Sequence, residues 1–517
     1  MDTKQTSFSW LDRPVSSFLP KITIETLLLA ILIILTVFSR FIDLDARVMS
    51  HDEVNHVVPS YELYTGQGYA YSPVTHGPLQ FHLIALSYFM LGDSDFSARV
   101  PAALFSIGTV LVAAFAFRRY LGRVGSLIAG YLYLISPYML FYGRYTRNEA
   151  FSGMWGILLL YGVLRYLDKG EKKTLYFLTT VIALHFCDKA TAYIYNAQIL
   201  IFLAVLLLFN LVKKKWPENG SKNRFALLMG GALILVISGL LFGVWHDSLQ
   251  TGETYTATMS PQQTLMIVCI ALAALMAVGA IIILVRSLGW KAVRAERSFD
   301  LAMLVGLLTL PQLGAFPVRF LGINLTDFLN ISSMNPTQIW QTAAVVIALV
   351  LIAFALGFWW NARQFLGSMA LFYAIYIPLY TTFFTNGVGF FAGLLGSLGY
   401  WLAQQAVNRG AQPWYYYVLV QVPLYEYLPA LGSIAAVVIA LRHKLFTQVT
   451  DRTPAEQLPE PEEETSGGED EEAEEKAADS DENSSVEVEE VEKPNRVPVL
   501  ALLLYWGVTS LVAFSLA

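Results

Sequence analysis

The sequence predicts an all-α protein that crosses a membrane many times. Three observations carry this. The 517-residue chain is 55% hydrophobic, with a mean hydropathy of +0.51. Only 14% of it is charged, where a soluble protein of this size carries about 25%. Apolar runs of about 20 residues, the length that spans a bilayer's hydrocarbon, recur from one end to the other.

Taken in order, residues 1–21 are a polar cytoplasmic lead with Lys4, Arg13 and Lys21. The first span covers roughly Ile22–Phe41; it is long enough to cross and lacks a small-residue cleavage pattern, so no cleaved signal is expected. A polar loop, residues 42–97, follows and is expected to be catalytic. Asp93–Arg99 leads into a second span closed by Arg118, Arg119 and Arg123, and a third covers about Val124–Leu140. After the link Phe141–Ala150, a fourth ends at Arg165–Lys173 and a short fifth starts near Thr174. The link His185–Tyr193 precedes a sixth span, which ends at Lys213, Lys214 and Lys215. Further spans are expected around Phe225–Val244, Leu265–Val285, Leu301–Phe320, Ala343–Trp360, Phe365–Phe384, Tyr416–Leu441 and Val497–Ala517, about 13 in all. The transmembrane body is thus 22–441, with a cytoplasmic linker at 442–496.

The net charge of −6 misleads. Glu460–Glu492 holds 17 Asp/Glu and one Lys, so the rest of the chain carries +10. That acidic segment, with Pro, Ser and Gly among its acids, is expected to be disordered in the cytoplasm. Short links on one side of the spans carry 17 Lys/Arg, among them Arg118, Lys172, Lys214, Arg294 and Arg363. The other side and the apolar runs hold eight: Arg40, Arg47, Arg99, Arg144, Arg147, Lys189, Arg319 and Arg409. Positive charge marks the cytoplasmic side, so residues 42–97 face outward and the N-terminus lies inside. Two cysteines, Cys187 and Cys269, imply neither a disulfide framework nor a thiolate metal site.

Chemistry concentrates in Met49–Leu83. Asp52 and Glu53 are adjacent there, and His51, His56, His76 and His82 are four of the chain's seven histidines. Carboxylates and imidazoles carry general-base work and metal ligation. Their oxygens and nitrogens suffice for a divalent ion such as Zn or Mn, held by His51, Asp52, His56, His76 and His82. The alternative is a hydrogen-bonded histidine cluster that organises the segment. Two more outward links carry charge, Arg144/Arg147 with Glu149 and Asp188/Lys189. Charges beside an apolar layer are costly and usually face an interior or a wet cavity; each cluster can also serve as an interface anchor or a buried salt bridge. Convergence of the three would bring a base and phosphate-binding cations to one place. The Gly- and aromatic-rich stretch Thr385–Tyr417 suggests a re-entrant or interface-lying helix, or else a packed helix with small-residue contacts.

Three motifs together resemble a known superfamily: the acidic pair after the first span, H-G-P-L-Q-F-H before a basic-ended second span, and S-P-Y-M-L-F-Y-G-R-Y-T-R-N-E. They look like the polytopic GT-C glycosyltransferases, which include the protein O-mannosyltransferases and the aminoarabinose transferase of lipid A. The nearest subgroup is the archaeal and bacterial membrane proteins labelled flippase-activity-associated. There, segments like T-N-G-V-G-F-F-A-G-L-L-G-S-L-G-Y-W-L and R-G-A-Q-P-W-Y-Y-Y also recur.

The resemblance implies the GT-C fold and inverting transfer of a sugar from a polyprenyl- or dolichyl-phosphate donor at the outer face of the cell membrane. The acceptor would be a hydroxyl of a glycan, lipid or protein; nucleic acid is no expected partner. The family's base position matches Asp52, with Glu53 adjacent and not ranked below it. A second acid corresponds to Glu149. Departing lipid phosphate needs cations, and bidentate arginine suits it; Arg144 and Arg147 are the candidates, with Lys189 and Arg409 behind them. The W-W-D-Y-G motif of the oligosaccharyltransferase branch has no counterpart at Trp414–Tyr417, which excludes oligosaccharide transfer to protein asparagine. Related proteins continue with more spans or a soluble domain where this chain ends inside an apolar run, so a truncated sequence is expected. The competing class is a lipid-linked-sugar flippase or transporter, which also carries many spans and intramembrane charge.

Overall fold

A computed structural model describes residues 9–16, 22–249, 261–321, 323, 335–404, 415–443 and 496–516. No named strand forms among these residues, and helices account for the architecture. Helix α1 (Ile24–Phe41) starts where Thr23 Oγ1 accepts the Thr26 N–H at 3.3 Å. The polar stretch after it is not a loop but two helices packed on each other, α2 (His51–Tyr64) and α3 (Leu79–Leu91). Next come α4 (Asp95–Leu111), prolonged by a π-helical turn to Ala116, α5 (Arg118–Ile135) and the short α6 (Pro137–Tyr142). A hairpin of α7 (Glu149–Lys169) and α8 (Lys172–Asp188) turns at Gly170, which sits at φ 68°. Glycine takes that left-handed conformation without a Cβ clash.

The chain then climbs through α9 (Thr191–Lys213) into a second hairpin, α10 (Asn219–Leu249) against α11 (Pro261–Ser287). Short α12 (Gly289–Arg294) leads to α13 (Arg297–Thr309), α14 (Ala315–Phe320) and the 45-residue α15 (Pro336–Tyr380). Helices α16 (Val388–Phe391) and α17 (Ser397–Gln404), joined by a π-helical turn, lie in the Gly-rich stretch. Beyond it, α18 (Val422–Tyr425), α19 (Tyr427–Arg442) and α20 (Arg496–Leu516) close the described chain. The main core gathers buried side chains of α7, α8, α9, α13 and α15, among them Phe151, Leu178, Leu203, Val305 and Phe372.

Eight helices among the described residues are long and apolar enough to cross a membrane, or nine if the pair Tyr417–Tyr425 and Tyr427–Arg442, bent by 106°, counts as one span. The expected count of 13 is thus not confirmed among the described residues. The run Val124–Leu140 divides at Ser136–Pro137, because proline lacks the N–H that would continue α5. The fifth expected span, α8, is a 17-residue helix, short as expected, that returns beside α7 with most of its side chains buried inside the bundle. Two expected spans fuse in α15, where Asn361 breaks the helical backbone between them with φ −163°.

In the Gly-rich stretch, the described residues favour the packed-helix reading. A Cβ on Gly389 would meet the Tyr380 carbonyl oxygen at 2.0 Å, and one on Gly393 would meet the Tyr380 ring at 2.3 Å. Small residues let these backbones touch. Residues 405–414 and the acidic segment 460–492 lie outside the described residues.

Candidate active site

The first turn of α2 sets the site. Ser50 Oγ accepts the Glu53 N–H at 3.3 Å, and the Glu53 carboxylate accepts the Ser50 N–H at 3.1 Å, a reciprocal cap. Asp52 and Glu53 both lie near the positive end of the helix dipole, but they go to different places. Glu53 is fully buried. Arg99 donates Nε to Oε1 at 2.9 Å and Nη2 to Oε2 at 3.2 Å. Arg47 Nη2 donates at 2.7 Å and the Thr146 N–H at 3.1 Å. Burial alone would push this carboxyl upward. The Arg99 bonds and the Ser50 and Thr146 amides outweigh it, so the group sits below its ordinary range. Its oxygens are spent on fastening α2 to α4 and to the 144–147 link.

Asp52 stays open, its side chain 49% exposed, and Oδ2 accepts from Arg147 Nη1 at 2.8 Å. Arg147 Nε also lies 3.5 Å from Glu149 Oε1, which Lys189 Nζ reaches at 2.9 Å. Asp52, Arg147, Glu149 and Lys189 thus form one alternating chain of charge drawn from three separate links. Glu149 Oε2 is buried with no hydrogen-bond partner among the described residues, an unused acceptor inside the cluster.

Behind this chain is a clasp that the sequence did not reveal. Asn148 Nδ2 donates to the Asp188 carboxylate at 2.8 Å and to its carbonyl at 3.0 Å, and Ser152 Oγ donates to Asp188 Oδ2 at 3.1 Å. On its other side, Asn148 Oδ1 faces His56 Nε2 at 3.1 Å. The Gly77 N–H donates to the Asp188 carbonyl at 2.7 Å. A Cβ at Gly77 would fall 2.1 Å from the Cys187 carbonyl oxygen, so only glycine lets this link press so close. An arginine inside an apolar run, Arg99, was the available signal that Glu53 would be taken as its partner. Nothing in the spacing pointed to Asn148 or Ser152.

The five proposed metal ligands do not gather. His51 and His56 are five residues apart on α2, so their side chains diverge by about 140°; His51 is exposed and His56 buried. His56 sits between Asn148 and the Asp52 carbonyl, and stacks on Phe81 at 5.5 Å. His82 Nδ1 is 2.8 Å from the Pro78 carbonyl, and His76 stacks on Trp401 at 4.8 Å. No group of three or more His, Cys, Asp or Glu among the described residues is placed to hold a metal. His56, His76 and His82 instead make separate local contacts.

One of the expected phosphate-binding cations is also placed differently. Arg144 donates Nη1 to the Ser39 carbonyl at 2.7 Å and Nη2 to the Asp43 carbonyl at 2.9 Å, away from the Asp52–Lys189 chain of contacts. Arg409 lies outside the described residues.

Residues 75–242 match the family described as dolichyl-phosphate-mannose-protein mannosyltransferase, roughly a third of the chain. The match includes Arg147, Glu149, Asp188 and Lys189 and begins after Asp52. It meets the GT-C resemblance carried by residues 49–188. No curated protein matches the chain.

Among solved structures, the oligosaccharyltransferase of Archaeoglobus fulgidus in complex with Zn and sulfate is similar at 15% identity, covering 75% of this chain and 54% of that one, with a TM-score of 0.33. The same organism's AglB with an inhibitory peptide and a dolichol-phosphate gives 14%, 77%, 53% and 0.34. ArnT from Cupriavidus metallidurans bound to undecaprenyl phosphate gives 13%, 74%, 81% and 0.32. This chain therefore spans about half the length of the Archaeoglobus fulgidus chains. At these values the likeness transfers no residue role.

Proposed function

From the family match over residues 75–242, we propose that this chain moves a sugar from a polyprenyl-phosphate donor to an acceptor hydroxyl, with inversion. Asp52 takes the hydroxyl proton as the acceptor oxygen attacks the anomeric carbon. The bond from that carbon to the lipid phosphate breaks, and its electron pair leaves with the phosphate. Arg147 and Lys189 meet the charge that develops there. Glu149 contacts both cations and holds them in place. Arg144, with its terminal nitrogens on carbonyls, is not assigned to the donor; Arg409 keeps a place on sequence grounds alone. No step is routed through a metal. The Lys/Arg bias supports an outer-face site in the cell membrane with the N-terminus inside. The acceptor is a glycan, lipid or protein hydroxyl.

The observation that carries this reading is the contrast within one helical turn. Asp52 is half-exposed beside Arg147, whereas Glu53 is buried under five donors. Purified full-length protein given a polyprenyl-phosphate sugar is the test. Asp52→Asn is expected to cut turnover by about 10²–10⁴ while donor affinity stays within about twofold. Arg147→Gln is expected to weaken donor binding as well, because its contacts to phosphate act in ground and transition states alike. Wild-type turnover from Asp52→Asn would remove the base from the scheme.

A further inference from the structure

The proposed chemistry uses the charged side chains of the site and leaves its aromatic ones without a role. Tyr138 and Tyr142 lie four residues apart on α6 and so share a face; their ring centroids are 4.5 Å apart. Tyr145 follows on the 144–147 link, edge-on to Tyr142 at 6.0 Å. The Tyr145 hydroxyl is taken, 2.5 Å from Ser50 Oγ, the cap of α2. Among the described residues, no hydrogen bond takes up the Tyr142 hydroxyl.

Tyr142 stands beside both ends of the Asp52–Glu149 run of charge. Its ring leans on Tyr145, which holds Ser50 two residues before Asp52, and it precedes Arg147 by five residues. Burial raises the Tyr142 phenol first; the Glu149 charge raises it further, Arg147 draws it back, and Tyr145 and Asp52 add smaller upward pulls. The hydroxyl therefore keeps its proton and can donate as well as accept. Three of the four members of the charge chain act on this one group. Glu149 and Arg147 act on Tyr138 too, which places the shared face of α6 against the chain.

In transfer with inversion, the acceptor oxygen reaches the anomeric carbon from the face opposite the departing phosphate. The sugar ring then extends from Asp52, which takes the acceptor proton, toward Arg147 and Lys189, which meet the phosphate. Tyr142 borders the middle of that path. We infer that Tyr142 is a sugar-recognition residue, its hydroxyl hydrogen-bonded to one ring hydroxyl of the transferred sugar. The assignment rests on the glycosyl-transfer reading above. A site built to bond a substrate hydroxyl discriminates against the analogue that lacks it, so Tyr142 helps to set which donor sugars are accepted.

The test is donor binding, which needs no turnover. Purified full-length protein is titrated with dolichyl phosphate, bare or carrying mannose, glucose or galactose, and the gain in affinity due to the sugar is read. At least one sugar should add about tenfold or more in wild-type protein. Tyr142→Phe should cut that gain about tenfold, the worth of one hydrogen bond, and leave bare dolichyl phosphate bound as in wild type, which also reports on the fold. Arg147→Gln should lower binding of the bare lipid as well. Wild-type protein offered monodeoxy forms of the best sugar should lose about tenfold at one position, and there Tyr142→Phe should cost nothing more. The wild-type deoxy series decides the matter if Tyr142→Phe fails to purify. No gain from any sugar, an unchanged gain in Tyr142→Phe, an equal loss for bare and sugar-bearing lipid, or no sensitive position in the deoxy series would each overturn the assignment and leave the transfer reading standing. Wild-type protein that binds no dolichyl phosphate, bare or sugar-bearing, would overturn the donor reading and this assignment with it.

Discussion

Successive residues on a helix point about 100° apart, and at the start of α2 that angle separates two jobs. Glu53 turns inward to Arg99 and Asp52 turns outward to Arg147. Substitution should divide them cleanly. Glu53→Gln leaves a buried Arg99 without its partner, which costs about 3–5 kcal/mol, whereas Asp52→Asn alters a half-exposed pair worth under about 1 kcal/mol. Thermal unfolding in detergent reads the difference, and equal losses would contradict it. Acid lability follows from the same residues. Burial lowers His56, and the donors around Glu53 outweigh its burial and lower it too. The unfolded chain therefore takes up protons first as pH falls. Stability should be full above about pH 6.5, the ordinary histidine value, and drop below it as His56 is penalised. A second loss should follow below the ordinary glutamate value of 4.5. A melting temperature unchanged between pH 7 and 5 would rule out the His56 step. The sequence offered both carboxylates but no means to rank them, because facing direction depends on Arg99, 46 positions away.

At the scale of elements, the site is a meeting of link ends, and Gly77 sets how closely they meet. Gly77→Ala would push a Cβ into the Cys187 carbonyl, parting the 76–78 link from the end of α8 and disturbing Asp188, Asn148 and the neighbouring Arg147 and Glu149. A displacement of about 1 Å costs on the order of 10²-fold in a positioned site. Turnover should fall by at least tenfold while the melted fraction at assay temperature stays unchanged; wild-type turnover would show that the clasp does not position the cations. The helical nature of α2 was hard to see in advance. Its stretch is polar, has weak helical periodicity and contains Pro59, so it reads as a loop; the Ser50–Glu53 cap and the packing of α3 override that. The same helix bears on the metal expectation: His51 and His56 diverge on the surface of α2, and His76 and His82 lie on other segments.

Across the whole molecule, the all-α membrane class was legible because the hydrocarbon length repeats along the chain. The span count was less so. An apolar run does not tell a continuous span from one with a break such as Ser136–Pro137, nor two spans from one long helix kinked as α15 is at Asn361. Orientation rests on charge bias and is open to direct test. Cysteines placed near Gly66 should react with a membrane-impermeant reagent in whole cells, and cysteines near Ser466 should not; the reverse would put the Asp52 site in the cytoplasm. Sugar transfer itself is tested most directly in liposomes that hold the purified chain, a lipid-linked sugar and a panel of acceptor hydroxyls. Free polyprenyl phosphate should accumulate with wild-type protein and fall by about 10²–10⁴ with Asp52→Asn. Lipid-linked sugar that crosses the bilayer while no polyprenyl phosphate is released with any acceptor would contradict glycosyl transfer and mark the chain as a flippase.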